Sequence, residues 1–127
     1  MFKETIISIT IIIVIFSLDI FTQGYTKKST ADMTNKMTNL KEKILKEDFE
    51  DLKDSIDEID EVWGKEHDKL AYYIEHDELE KVDTAIITMK SFLETKDYSS
   101  AIAELEEGKF VLEHIKDKNS FNLQNIF

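Results

Sequence analysis

Proline, glycine, cysteine and arginine are rare or missing in this chain, and each shortage narrows what the protein can be. Its 127 residues include no proline and three glycines, so few positions break a helix, and long helices are favoured over a turn-rich β fold. The absence of cysteine excludes disulfides, thiolate metal sites, thiol nucleophiles and lipoprotein acylation. All 16 basic residues are lysine, whereas arginine is the usual partner for bidentate phosphate contacts. With a net charge of −11, the chain is therefore not expected to bind nucleic acid.

The negative charge is concentrated in one stretch. Residues 47–80 hold 15 acidic residues and three lysines, a local net charge of −12. The favoured interpretation is a solvated helix surface that keeps the domain soluble. Attraction of cations or of a basic partner is the alternative.

An apolar run, TIISITIIIVIFSLDIF, occupies residues 5–21 and contains a single charge, Asp19. Seventeen helical residues rise roughly 25 Å, slightly less than a hydrocarbon core of about 30 Å. Asp19 lies near the end of the run, where its carboxylate can reach water. A cleaved signal peptide is the alternative, with residues 22–24 as the one small-x-small candidate site. A type IV pilin is not expected, because no Gly-Phe junction precedes the run. We favour a retained membrane anchor of residues 1–24.

The charges that flank this run are nearly balanced. Lys3 is offset by Glu4 on one side, and Lys27 and Lys28 lie on the other, so the positive-inside rule gives no strong orientation. A short N-terminal tail before a start-transfer segment usually stays inside. We therefore expect a single-pass protein of the cell membrane with an extracytoplasmic domain.

The apolar residues of residues 25–127 recur at alternating steps of three and four, which is typical of amphipathic helices. A first such stripe, Met33 to Ile44, is followed by three more. Single stripes must be buried against one another, so we predict an all-α fold with an N-terminal transmembrane helix followed by an antiparallel helical bundle. This acidic bundle would contain three to four helices arranged as two helical hairpins. The predicted core residues are Leu52, Ile56, Ile59, Trp63, Leu70, Leu79, Val82, Ile86, Met89, Leu93, Leu105, Leu112 and Ile115. Gly108 also falls on a stripe, where it would let another helix or Trp63 come close, or would simply be tolerated.

Two similar segments, KEDFED and TKDYSS, predict two similar corners. Their aspartates, Asp48 and Asp97, lie 49 residues apart, and each is followed by an aromatic residue, Phe49 or Tyr98. Aspartate is a good helix N-cap, because its carboxylate accepts the free N–H groups of the first turn. We expect both aspartates to cap helices and both aromatic rings to pack at the corners.

A third corner is indicated near His76. The step from Tyr73 to Leu79 is six residues rather than three, four or seven, and this loss of register predicts a hairpin corner or a kink at residues 76–77. Asp77 would cap the next helix, and Glu78 would interact favourably with the N-terminal end of its dipole. His76 would form a hydrogen bond with a freed carbonyl or a carboxylate. Neither glycine nor proline occurs here, so a bend within a nearly continuous helix is the alternative.

The same segment could be a metal or catalytic site, and the sequence argues against both. His76 and Glu80 are four residues apart and could face one ion, but two ligands are too few. His67 would lie on the opposite face of an unbroken helix, and His114 belongs to another helix. An acid–base pair of His76 with Glu78 or Glu80 would lack a nucleophile, a phosphate loop and an oxyanion-hole motif. We therefore expect no catalytic residues and no cofactor.

Four segments together resemble a known family. They are Trp63, YYIEHDELEKVD at residues 72–83, TKDYSSAIAELEEGKFVLEHI at residues 95–115, and the closing NSFNLQNIF. Over residues 49–127 they resemble the bacterial domain-of-unknown-function family 4363, whose members are small membrane-anchored helical proteins. The resemblance implies an anchored helical domain without assigned catalysis, and a multi-pass membrane protein of domain family 421 as partner. The chain departs from the family in lacking arginines near the tryptophan.

Two functions from different classes remain. The first is a non-enzymatic accessory or interaction protein of a bacterial envelope, which would bind another membrane protein. The second is an envelope protein that binds divalent cations or a small ligand through residues 47–80 and His76; a membrane-bound hydrolase ranks last. An apolar tail would either plug the bundle or dock a partner. Its residues are Phe121, Leu123, Ile126 and Phe127.

Overall fold

A computed structural model describes the backbone of residues 1–126 and the side chains of residues 1–120. Over this backbone the chain forms four α-helices and no β-strand. The helices are α1 (Phe2–Leu45), α2 (Leu52–Leu70), α3 (His76–Glu94) and α4 (Tyr98–Ile126). The all-α prediction is confirmed, with four helices in the described part of the chain.

The helices form an antiparallel bundle. Thr26, near the middle of α1, accepts a hydrogen bond from Asn119 near the end of α4. Further along α1, Lys41 forms an ion pair with Glu106, which lies nearer the start of α4. The same inverse order relates α1 to α2, α2 to α3 and α3 to α4. The helices α1 and α4 pack extensively, as do both hairpin pairs α1–α2 and α3–α4, but α2 and α3 touch at few positions.

α1 runs through the apolar segment and the bundle without a break. Its isoleucines between Ile6 and Ile20 are 52–64 % exposed, and its best 18-residue window has a mean hydropathy of 2.4 with none of it buried. This helix is compatible with a single-pass membrane anchor or with a signal sequence. The predicted boundary between residues 1–24 and residues 25–127 lies inside α1.

The core lies between the second half of α1 and the other three helices. Met33, Met37, Leu40 and Ile44 of α1 are at most 4 % exposed. The predicted core residues of α2, α3 and α4 are buried, except Leu52 and Ile56, which are half-buried against the core. α1 makes the close approach at Gly108, because a Cβ atom there would lie 3.2 Å from Met37 Sδ and Cε.

The corners after α1 and α3 share one backbone arrangement. Glu47 and Lys96 adopt positive φ angles of 57° and 60°. The next N–H group in each corner reaches back five residues, from Asp48 to the Lys43 carbonyl at 2.9 Å and from Asp97 to that of Phe92 at 2.8 Å. With the bonds Glu47 N–H to Ile44 O and Lys96 N–H to Leu93 O, each corner is a Schellman motif.

The two corners differ in how the next helix is capped. Asp97 Oδ1 accepts the Ser100 N–H at 3.2 Å, so Asp97 caps α4 as expected. The expectation for Asp48 is wrong: α2 begins at Leu52 with Asp51 as its N-cap, so this helix does not start directly after its Schellman turn as α4 does after Asp97. Phe49 and Tyr98 stack on each other at the corners, with ring centroids 4.8 Å apart.

The corner between α2 and α3 lies earlier than expected. α2 ends at Leu70, residues 71–75 make the turn, and α3 begins at His76 with Glu75 as its N-cap. The expectation that Asp77 caps α3 is therefore wrong, since Asp77 lies in the first turn of that helix. α4 continues unbroken through Asn119 and Ser120.

Candidate functional site

Polar contacts between the helices lie towards the proximal end of the bundle, by which we mean the end that adjoins residues 5–21. Three groups of residues meet there. One is the tyrosine network of Thr22, Tyr25, Thr26, Ser29, Glu66, Tyr73 and Asn119. The second is the histidine cluster of Trp63, His67, His76 and Asp83. The third is Glu78 with His114 and two lysines.

The tyrosine network joins α1 to α2 through one carboxylate. The Tyr25 hydroxyl and the Ser29 hydroxyl both donate to Glu66 Oε2, the latter at 2.8 Å. Burial and the Glu66 carboxylate hold the pKa of Tyr25 well above its ordinary value. The phenol therefore stays protonated and remains a donor at any physiological pH.

Tyr73 joins the α2–α3 corner to α1. Its hydroxyl donates to the Thr22 carbonyl at 3.2 Å and lies 2.7 Å from Thr26 Oγ1. Asn119 of α4 donates to the same Thr26 oxygen at 3.2 Å. Burial raises the pKa of Tyr73. Thr26 is 1 % exposed, so three parts of the chain meet at one buried hydroxyl.

The histidine cluster lies between α2 and α3. Trp63 Nε1 donates to Asp83 Oδ1 at 2.5 Å, and His67 Nε2 lies 3.3 Å from Asp83 Oδ2. That second contact is too poorly aligned to be a hydrogen bond, so His67 Nε2 is buried without one. The rings of His67 and His76 meet edge-on, with centroids 6.4 Å apart.

The meeting of His67 and His76 corrects the expectation that they lie on opposite faces. That expectation assumed one continuous helix through both residues. Since α2 ends at Leu70 and the chain reverses before α3, His67 and His76 lie on two adjacent helices at the same level. His76 is exposed at the start of α3, and the contact described for it is the His67 ring rather than a freed carbonyl.

Glu78 is a buried acid at the start of α3. It is 8 % exposed, and its Oε2 lies 3.1 Å from His114 Nδ1 of α4. Lys81 and Lys118 lie 3.7 and 3.9 Å from Oε1. A buried carboxylate needs such partners, so Glu78 links the start of α3 to α4.

The weak metal candidates, His76 and Glu80, are both exposed. In the described part of the chain, no group of three or more histidine, aspartate or glutamate side chains is arranged to hold a metal ion. Both ring nitrogens of His67 face carboxylates, Asp83 at 3.3 Å and Asp68 at 3.8 Å. Neither contact is a hydrogen bond, and the ring lies between α2 and α3, where it also meets the rings of Trp63 and His76 edge-on.

The acidic stretch of residues 47–80 is mostly exposed. Among its exposed carboxylates, Glu58 pairs with Lys36 of α1 at 2.8 Å and Asp60 pairs with Lys90 of α3 at 2.7 Å. The predicted docking residues Phe121, Leu123, Ile126 and Phe127 lie outside the described side chains.

The spacing of small polar residues in the sequence indicates the tyrosine network. Thr22, Thr26 and Ser29 or Thr30 continue the spacing of the Met33–Ile44 stripe towards the apolar run. Thr26, Ser29 and Thr30 are at most 4 % exposed. A stripe of small polar residues in register with an apolar stripe therefore indicates a buried polar layer.

The fold and these contacts define a helical-bundle domain that continues directly from an apolar N-terminal helix. The chain belongs to the DUF4363 family, a domain of unknown function, whose family model matches residues 20–126. No curated protein and no solved structure gives a significant match to the chain.

Proposed function

We propose that this protein is a membrane-anchored accessory protein without catalysis of its own. Residues 5–21 would stay in the membrane of a bacterial envelope, hold the acidic bundle at the membrane surface, and allow the protein to bind another, multi-pass membrane protein. The bundle would lie outside the cytoplasm.

One observation carries the anchor: the candidate cleavage site, residues 22–24, lies inside α1 where that helix packs on the bundle. The Thr22 carbonyl accepts hydrogen bonds from Thr26 at 2.8 Å and from Tyr73 at 3.2 Å. Cleavage after Gly24 would remove this carbonyl and the helical turn before Tyr25 and Thr26. Retention of the segment keeps the tyrosine network intact, which supports an anchor over a signal peptide.

The mass of the protein in cell membranes tests this proposal. The full chain should remain in the membrane pellet after an alkaline carbonate wash, with an intact mass of 14.9 kDa. Gly24→Leu, which would block cleavage after a small residue, should also be recovered at full length, heavier only by the added side-chain atoms. The substitution should not disturb the fold, because a Cβ at Gly24 meets no atom within 4 Å. A shorter wild-type product that Gly24→Leu restores to full length would overturn the anchor.

A control variant separates anchoring from folding. Ile12 and Ile13 are 52 % and 59 % exposed, so Ile12→Lys with Ile13→Lys should abolish membrane retention and leave the helical bundle folded. Circular dichroism checks the fold of the released protein.

Binding to another membrane protein is tested by photo-cross-linking in intact membranes. Phe110 of α4 and Ile87 of α3 are large apolar side chains, 69 % and 66 % exposed, and either can be replaced by a photoreactive amino acid without disturbing the core. A discrete cross-link to one integral membrane protein, absent from the Ile12→Lys, Ile13→Lys variant, would support the proposal. No cross-linked product from either position, together with purification of the protein alone under mild detergents, would contradict it.

Orientation is tested by cysteine labelling, since the natural chain contains no cysteine. A single Phe110→Cys variant in intact cells should react with a membrane-impermeant maleimide if the bundle lies outside the cytoplasm. Labelling only after the membrane is permeabilised would place the bundle inside.

A further inference from the structure

The α2–α3 corner, residues 71–75, lies at the height where the apolar run ends. The run ends at Phe21, and the Thr22 carbonyl one residue further on accepts the Tyr73 hydroxyl at 3.2 Å. At a rise of 1.5 Å per residue, this contact places the Tyr73 hydroxyl within a few ångströms of the end of the run along the axis of α1. The corner is therefore beside the helix at the level of the hydrocarbon boundary.

Tyr72 projects outward from that corner. Its neighbours Tyr73 and Ile74 are half-buried and pack against the core, whereas Tyr72 is 90 % exposed. Tyrosine is enriched where membranes meet water, because its ring is apolar and its hydroxyl is hydrated. Tyr25 and Tyr73 lie at nearly the same level, so three of the four tyrosines lie near one plane.

Lysines accompany these tyrosines. Lys27 and Lys28 are exposed on α1 just past the apolar run, and Lys69, the last residue but one of α2, has its Nζ 5.9 Å from the centre of the Tyr25 ring. On α4, Lys118 pairs with Glu75 of the corner at 3.4 Å, so one acid of the corner is neutralised. Lysines at this level can meet the phosphates of lipid headgroups.

We infer that the α2–α3 corner is a second membrane contact, in which Tyr72 enters the headgroup layer beside α1. This contact rests on the proposed anchor. It would fix the rotation of the bundle on the membrane, because α1 alone leaves the protein free to turn about its axis. The partner is the lipid surface itself.

The test uses the full chain in vesicles of phosphatidylcholine and phosphatidylglycerol. Ala71, which is exposed, is replaced by cysteine and labelled with an environment-sensitive fluorophore. The chain has no other cysteine, and labelling at position 71 keeps Tyr72 itself unchanged. The matched control is Ile87→Cys, because Ile87 is 66 % exposed and lies roughly 16 Å along α3 from the start of that helix. A nitroxide lipid labelled at its headgroup should quench the fluorophore at position 71 and not the one at position 87.

Addition of Tyr72→Glu to Ala71→Cys should remove most of that quenching while the chain still floats with the vesicles. Equal quenching at positions 71 and 87 in floating protein, or none at 71, would overturn the contact and leave the anchor in place. Unchanged quenching in the Tyr72→Glu variant would overturn the role of Tyr72. Protein that does not float would refute the anchor, and with it the contact that rests on it. Circular dichroism of each labelled variant verifies that the bundle is folded.

Discussion

At the scale of single residues, Trp63 depends on one carboxylate. The indole is 4 % exposed, and its N–H donates to Asp83 Oδ1 at 2.5 Å. A buried donor that loses its partner costs more free energy than the bond itself contributes, because it also loses water. Asp83 is therefore a stabilising residue of the α2–α3 contact, where few other residues meet.

We predict that Asp83→Ala lowers the free energy of unfolding by about 1–3 kcal/mol. The loss comes from the unpaired indole N–H and from removal of the carboxylate beside His67. The matched control is Asp68→Ala, since the Asp68 side chain is 89 % exposed and comes no closer than 3.8 Å to the His67 ring nitrogen; it should change stability by less than about 0.5 kcal/mol. Denaturant unfolding followed by circular dichroism gives both values, and equal effects would contradict the role of Asp83.

Glu106 gives a prediction for pH. Lys41 at 2.9 Å and Lys109 at 3.2 Å hold the pKa of Glu106 below its ordinary value. A carboxyl with a lowered folded-state pKa contributes stability above its unfolded pKa of about 4.3, and the contribution is lost as pH falls through the folded value. The side chain is 45 % exposed, so solvent screening keeps the effect small.

We predict that Glu106→Gln is less stable than wild type by about 0.5 kcal/mol at pH 7. The difference should close as pH falls from about 5 to about 2.5, where both side chains are neutral. Paired unfolding curves across this pH range make the measurement. A difference that persists at the lowest pH would show that packing, and not charge, distinguishes the variant.

At the scale of elements, the corners after α1 and α3 place charged residues where glycine is preferred. Glu47 and Lys96 have left-handed φ angles, which cost an L-residue roughly 1–2 kcal/mol. The backbone hydrogen bonds of the Schellman motif and the stacked rings of Phe49 and Tyr98 hold both corners despite that cost.

Lys96→Gly should therefore stabilise the protein, by about 0.5–1 kcal/mol after allowance for the greater freedom of glycine in the unfolded chain. The same change at exposed Lys65, in the interior of α2, should destabilise by about 1 kcal/mol. Thermal unfolding of the two variants should thus shift in opposite directions. A loss of stability in both would mean that the Lys96 side chain contributes more than its backbone strain costs.

The sequence predicted the elements better than their ends. The stripes identified the core because apolar spacing depends only on which face is buried. The end of α2 at Leu70 was missed because nothing in residues 71–75 breaks a helix; the bond from Tyr73 to α1 and the burial of Ile74 override local preference there. The approach of His67 to His76 could not be predicted without knowing that α2 ends at Leu70. Asp48 was misassigned because the KEDFED and TKDYSS segments look alike, whereas α4 starts directly after Asp97 and α2 starts only at Leu52.

At the scale of the whole molecule, the tyrosine network joins the end of the apolar run, residues 5–21, to the bundle. Tyr25 and Thr26 contact α2, the α2–α3 corner and α4. The bundle should fold without the apolar run, but a cut within the network removes buried hydrogen bonds.

We predict that a fragment of residues 22–127 is more stable than one of residues 28–127. The expected difference is about 2–4 kcal/mol, from loss of the hydrogen bonds and the packing of Tyr25 and Thr26. Both fragments lack the apolar run, so denaturant unfolding can be followed in water. Equal stabilities would mean that the network contributes nothing to the fold and would remove the structural argument for retention of residues 22–24.

Because α1 is one helix without a break, it has a mechanical consequence. From Thr22 to Leu45 the helix rises about 35 Å, and it has no proline at which to bend. A transmembrane tilt of about 20° would thus carry the Phe49–Tyr98 corner sideways by roughly 12 Å. With α1 as the proposed anchor, the protein would act as a stiff lever, and a change of tilt or bilayer thickness would become a displacement far out in the solvent.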